Sequence, residues 1–168
     1  MRNPIIRSNV NPLALPTLFF AGRATLTFRN PVKETHMTIK VKQARDKNDR
    51  KKKLPIFFLS VSLLGDRQTG YIHAATIFQD TMNIKLSASA QSNEQLVKVV
   101  QFIWSALHNP QMLRDRKVAL LHEGRCCRCS MPLTHPESIN TGFGPDCLEH
   151  ILSSGKIKAD QLFFKPEE

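Results

Sequence analysis

A chain of 168 residues with 41% hydrophobic side chains is long enough for one domain of ordinary size plus a small appendage, which argues against global disorder. No stretch approaches the roughly 20 apolar residues of a membrane-spanning helix, and the opening Met-Arg-Asn-Pro-Ile-Ile-Arg lacks the apolar segment and cleavage site of a secretory signal. A cytoplasmic protein without membrane contact is therefore expected. The net charge of +10 is placed unevenly, with 15 Lys/Arg against 5 Asp/Glu in residues 1–85 and 9 against 9 in residues 86–168, an asymmetry that suits a polyanionic partner, usually nucleic acid.

Residues 1–17 carry Pro4, Pro12 and Pro16, which resist both helix and central strand, and read as an extended arm. Two β-type segments follow at 18–28 and 36–42. Ala24, Leu26 and Phe28 share one face of the first, Met37, Ile39 and Val41 share one face of the second, and Asn30-Pro31 marks the turn between them. Residues 44–53 hold six cations, two acids and no hydrophobe beyond Ala44, so they cannot offset the entropy of ordering and read as a mobile basic loop.

Strands at 54–64 and 71–78 are rich in Phe, Ile and Val, with a hairpin loop at 65–70 between them, and 83–86 adds a short fifth strand. The clearest helix follows. Leu96, Val99, Val100, Ile103 and Leu107 recur at helical spacing, Ser92 and Gln95 form a candidate capping box, and Pro110 ends the element. The fold expected is α+β: an antiparallel sheet of four to five strands packed on one helix over residues 18–110, then a small zinc-ribbon or treble-clef-like module over 111–155. Residues 118–121 make a short strand leading into that module. Residues 156–168 form a polar tail whose Leu162, Phe163 and Phe164 either dock on the body or serve a partner.

All four cysteines lie between Cys126 and Cys147, a clustering that fits metal binding better than a disulfide framework. Cys126 and Cys129 form a Cys-x-x-Cys knuckle, and Gly142-Phe143-Gly144-Pro145 makes a turn that sets Cys147 in the first turn of a helix running to about Ser154. One structural Zn2+ on Cys126, Cys129, Cys147 and a histidine is expected. Spacing alone leaves the histidine open among His122, His150 and, as third choice, His135. Cys127 lies between ligands and should point away. Four protein ligands would leave no open position for water or substrate, so the zinc reads as structural.

Residues 122–147, running His-Glu-Gly-Arg-Cys-Cys-Arg-Cys-Ser-Met-Pro-Leu-Thr-His-Pro-Glu-Ser-Ile-Asn-Thr-Gly-Phe-Gly-Pro-Asp-Cys, resemble an uncharacterised family of short phage and bacterial zinc segments. Its pattern is His-Glu-Gly-x-Cys-x-x-Cys-Gly-x-x-Leu-Thr-x-Pro-Glu-Ser-Ile-x-x-Gly-x-Gly-Pro-x-Cys. The resemblance implies a phage-type accessory protein and favours His122 over His150 as fourth ligand, but carries no activity. This chain departs at Cys127 and at Ser130, where Gly is usual. If that position needs a positive φ, Ser130 makes the turn harder.

The basic residues Arg45, Lys47, Arg50, Lys51, Lys52 and Lys53 stand beside strands bearing Phe19, Phe20, Phe28, Phe57, Phe58 and Tyr71. Outward aromatics would stack on unpaired bases while the cations hold phosphates, although aromatics in alternating strands more often fill a core. His36 and His73 read as ordinary strand residues. No Walker A loop, Gly-x-Gly-x-x-Gly, Gly-x-Ser-x-Gly or His-Glu-x-x-His is present, so no enzyme activity is expected. The leading expectation is a non-enzymatic binder of nucleic acid, single-stranded DNA or RNA favoured. The runner-up is an inhibitor or adaptor that binds a host or defence protein complex through the zinc module and the Phe163-Phe164 tail.

Overall fold

The computed structural model describes residues 7–62 and 70–166, and the loop expected at 65–70 lies, but for Gly70, outside them. Seven strands form one antiparallel sheet: β1 (Ser8–Val10), β2 (Arg23–Asn30), β3 (Thr35–Arg45), β4 (Lys53–Ser62), β5 (Ile72–Phe78), β6 (Asn83–Leu86) and β7 (Ala119–His122), in the order β1-β7-β2-β3-β4-β5-β6. The helices are α1 (Leu15–Phe19), α2 (Ala88–Gln91), α3 (Glu94–His108), α4 (Gln111–Asp115), α5 (Pro136–Thr141), α6 (Pro145–Ser153) and α7 (Ala159–Leu162), with a 3-10 turn at Pro12–Ala14. No helix among the described residues is long and apolar enough to cross a membrane.

The α+β class stands, with seven strands in place of four to five and several helices in place of one. The sheet's inner face is laid down by alternation. Ala24, Leu26 and Phe28 on β2, Ile39 and Val41 on β3, Phe57, Leu59 and Val61 on β4, and Ala75 and Ile77 on β5 are all buried. Against this face pack Leu96, Val100, Ile103, Ala106 and Leu107 of α3 and Leu15, Leu18 and Phe19 of α1. Each of the Leu, Val, Ile and Phe side chains among them contributes about 1.5–3 kcal/mol on burial. The N-cap of α3 is Asn93, whose side chain accepts from the N–H groups of Gln95 and Leu96, rather than Ser92, which closes α2.

Other readings made from the sequence are also corrected. The arm at 1–17 is not extended throughout, because Ser8–Val10 pairs with β7 and residues 15–19 coil into α1, where Pro16 is tolerated in the first turn. Residues 18–22 thus belong to helix and turn, not to the first long strand. Residues 111–155 do not stand apart: β7 is inserted between β1 and β2, and Cys126, Cys127, Phe143, Cys147 and Leu148 belong to the same buried cluster as the sheet. The tail docks. Leu162 is buried, Asn11 donates to the carbonyls of Asp160 and Phe163, and Asn140 clamps the backbone of Phe164 through both its amide atoms.

The basic segment 44–53 is an ordered hairpin turn. β3 runs on to Arg45 and β4 begins at Lys53, the N–H of Asp46 donates to Lys52 O, and Asp46 Oδ1 accepts from the N–H groups of Asn48 and Asp49. Asp49 Oδ1 likewise accepts from Lys51 N. Two aspartates acting on their own backbone supply the order that hydrophobic burial could not.

Candidate metal centre and basic sheet face

β7 ends at His122, and the chain turns at Gly124 (φ 82°) into the knuckle. Ser130 N donates to Cys126 O, Cys126 N donates to Met131 O, and Arg125 pairs with Pro132 in an isolated bridge, which closes a tight loop around Cys126 and Cys129. Ser130 closes it with φ 67°, the left-handed conformation glycine takes without strain. α5 ends in Gly142 (φ 82°), and Pro145 opens α6 with Cys147 in its first turn. The thiols of Cys126, Cys129 and Cys147 consequently lie within 4.8 Å of one another.

This cluster could hold a metal ion. A tetrahedral site with metal–sulfur bonds of about 2.3 Å places its sulfurs about 3.8 Å apart, so the observed grouping needs little adjustment. Burial works against ionising Cys126, but backbone N–H groups of Gly144, Cys129 and Arg128 and the Cys129 side chain outweigh it and hold the thiol below its usual pKa. Burial, with the neighbouring Cys126, pushes Cys147 up to about 11, opposed by the Arg128 side chain, whose Nη1 lies 3.6 Å from Cys147 Sγ. Three thiolates this close repel one another, and a bound cation is what would relieve them. Cys127 points away as expected, fully into the core, where burial raises its pKa.

None of the candidate histidines joins the cluster. His122 is fully buried with both ring nitrogens committed to backbone: Gly124 N–H donates to Nδ1 at 2.8 Å, and Nε2 donates to Ile139 O at 2.6 Å. Burial lowers its pKa, so the ring is neutral and its tautomer is set by these two partners. It braces α5 against the knuckle's entry instead of extending the donor set. His150 is exposed on α6, three residues beyond Cys147, and His135 is exposed ahead of α5.

Two bonds seat the knuckle on the rest of the fold. Arg23 N donates to Cys127 O at 2.8 Å and Cys127 N donates to Gly142 O at 2.9 Å, so the residue between the clustered cysteines ties together β2, the knuckle and the end of α5. Gly142 is fixed by space as well as conformation, because a Cβ there would stand 3.0 Å from Leu18 Cδ2.

Of the aromatics named from the sequence, Phe19, Phe28 and Phe57 are core and Phe20 packs half-buried against it. Phe58 faces out, 40% exposed. Tyr71 is half-buried under Lys40, whose Nζ sits 4.3 Å from its ring centroid. The register places Phe58 in a row across five strands of the outer face, Arg23–Lys42–Phe58–Thr76–Lys85, followed by a second row of Thr25, Lys40, Ser60 and His73. His73 meets Phe58 edge to face at 6.0 Å.

The six cations of 44–53 divide. Arg45 and Lys53, paired across the strands, line a pocket of about 290 Å3 with Gly22, Arg23, Lys42, Gln43, Arg128 and Cys129. Lys47, Arg50, Lys51 and Lys52 lie exposed on the turn outside it. Arg23, Lys42, Lys85 and Arg128 escaped sequence reasoning. Period-two alternation on β3 could have found Lys42, but the cross-strand register that aligns the others is not written in any one segment.

No curated protein and no solved structure matches the chain. Residues 120–152, from β7 through the knuckle and α5 into α6, match the model of a family of unknown function, DUF6011, which spans the three clustered cysteines and the His122 brace together.

Proposed function

We propose that this protein binds single-stranded nucleic acid without catalysing a reaction on it, as a phage-type accessory protein whose C-terminal segment is stiffened by one Zn2+. The observation that carries the reading is the outer-face row Arg23–Lys42–Phe58–Thr76–Lys85: an exposed aromatic flanked by cations on a sheet surface, with His73 against its edge. Such a surface can stack an unpaired base on Phe58 and meet the flanking phosphates with Lys42 and Lys85, a combination that tolerates any base sequence. The turn cations Lys47, Arg50, Lys51 and Lys52 add a diffuse positive field beside it.

Zinc suits the site because three thiolates select a soft, tetrahedral ion. Cys126, Cys129 and Cys147 would hold it, and His150, which lies outside the cluster but three residues beyond Cys147 on α6, would complete the set by turning its exposed side chain toward the thiols. Such a closed set gives the ion a structural role: it fixes the knuckle against β2.

Fluorescence anisotropy with labelled single-stranded DNA, duplex DNA and RNA across a salt series tests the reading. Preference for a single strand with a steep salt dependence is expected, and Phe58→Ala should cost about 1–3 kcal/mol of binding while leaving the salt slope unchanged. Weak binding that ignores the nucleic acid's form and ends near physiological salt would overturn it, and leave the protein-complex adaptor as the reading to pursue.

A further inference from the structure

Where the knuckle meets the sheet, a pocket of about 290 Å3 gathers Arg23, Lys42, Arg45, Lys53 and Arg128 around Gly22, Gln43 and Cys129. It is lined by five cations and no carboxylate. Among the described residues the one ion pair is Arg7–Glu123, so no carboxylate pairs with any of the five, and the nearest opposing group is the cysteine cluster, whose Cys147 Sγ lies 3.6 Å from Arg128 Nη1. Arg23, Lys42, Arg45 and Lys53 are like charges brought together with no carboxylate paired to them, which raises the energy of the folded state, and an anion bound among them reverses the sign of that term.

The pocket is built by backbone rather than by flexible tips. Arg23 N is fixed to Cys127 O and Gln43 N to Gly22 O, while Gly22 has φ 138° and a Cβ there would stand 3.2 Å from Arg128 O. The absence of a side chain at Gly22 is what lets the knuckle close down on β2 and bring Arg128 within reach of the sheet's cations. Gln43 fixes its amide by donating through Nε2 to Leu54 O across the hairpin. The guanidinium of Arg45 donates through Nη1 to Arg50 O, which orients it and leaves other N–H groups free.

We infer that this pocket seats a phosphate group, with arginine N–H groups and lysine ammoniums as donors, and that it anchors one backbone phosphate of the strand running along the outer face. The last clause rests on the nucleic-acid reading; the pocket's affinity for phosphate does not. Because Arg23 and Lys42 both line the pocket and begin the Phe58 row, a strand held there continues directly onto the stacking surface.

Two arms separate the claims. In the first, inorganic phosphate is titrated into the metal-loaded protein while the arginine side-chain Nε–Hε resonances are followed by NMR. Saturable shifts at pocket arginines, lost in Arg45→Gln/Lys53→Gln, are expected; no saturable shift, or shifts spread over all surface cations, overturns the phosphate seat. In the second, binding of a labelled single strand is compared for Arg45→Gln/Lys53→Gln and Lys51→Gln/Lys52→Gln, which remove equal charge inside and outside the pocket. The first pair should weaken binding at least tenfold and flatten the salt dependence by about 0.7 per lost phosphate contact, and the second should weaken it less than threefold. Equal losses overturn the anchoring claim while leaving the nucleic-acid reading intact. Phosphate shifts without oligonucleotide binding overturn the nucleic-acid reading and keep the pocket as a seat for a free phosphate group.

Discussion

The Nε2 atom of His122 lies 2.6 Å from the carbonyl oxygen of Ile139, while its Nδ1 receives the N–H of Gly124, so the imidazole spans from the end of β7 to α5. Removing it leaves the part-buried Ile139 carbonyl and Gly124 N–H without these partners. His122→Ala should therefore destabilise the fold by about 2–4 kcal/mol in urea unfolding, yet the variant should still take up one equivalent of zinc. His150→Ala should do the opposite, weakening zinc affinity in a chelator competition with little change in metal-free stability. Loss of zinc from His122→Ala with retained stability would return His122 to the ligand set.

The same histidine makes a pH prediction. Its folded pKa lies below the ordinary value near 6.5 because burial disfavours the charged ring. The unfolded chain therefore binds the proton more readily, and the histidine's contribution to stability is full above about pH 6.5 and lost as pH falls below it toward the folded pKa. Urea midpoints of wild type and His122→Gln should accordingly converge as pH is lowered from 7.5 to 5. Comparison with the variant cancels the proton-driven loss of metal common to both.

Cysteines one residue apart should behave differently. Cys129→Ser removes a donor from the cluster and should release the metal and loosen the C-terminal segment. Cys127→Ser should keep the metal but cost about 1–3 kcal/mol, since its side chain is buried in the core and a hydroxyl there lacks the partner it needs. Zinc content and thermal unfolding of the two proteins distinguish the outcomes.

Metal removal should reach the sheet face. Arg128 lies between Cys126 and Cys129 of the cluster, its N–H donates to Cys126 Sγ at 3.4 Å, and its side chain lines the basic pocket. Chelating the metal should free the knuckle and weaken single-strand binding by about three- to tenfold, the share of one phosphate contact, while Phe58→Ala remains harmful in the metal-free protein. Anisotropy before and after chelation, with zinc added back, reads the effect.

Gly142→Ala should destabilise by at least about 1–2 kcal/mol, as φ 82° disfavours any Cβ and Leu18 Cδ2 would have to move from 3.0 Å. Thermal melts of the metal-loaded proteins measure it.

Much of the local structure was legible in the residues. Asn83–Leu86 is a strand as read, α3 follows the apolar spacing of Leu96 to Leu107, and Cys147 sits in the first turn of a helix that ends beside Ser154. The three cysteines were identifiable because a Cys-x-x-Cys knuckle and a Gly-Phe-Gly-Pro turn are local devices whose geometry a few neighbouring residues dictate. Whether position 130 needs a positive φ, left open where the family pattern has Gly, was decided by the fold, and Ser130 adopts φ 67°.

What the sequence by itself determined is thus the α+β class, the period of each long element, the charge asymmetry and the cysteine cluster, all set by neighbours along the chain. Only the tertiary structure decided that β7 enters the sheet between β1 and β2 and joins the cysteine segment to the main core, that His122 spends both nitrogens on backbone, and that Phe58 faces outward while Phe57 faces in. It also decided that Arg23, Lys42, Phe58, Thr76 and Lys85 form one row and that Arg128 closes the pocket at its end. These are matters of register and of contacts between residues far apart in sequence, and a one-residue shift in pairing, which no local pattern forbids strongly, would have turned each strand's side chains to the other face.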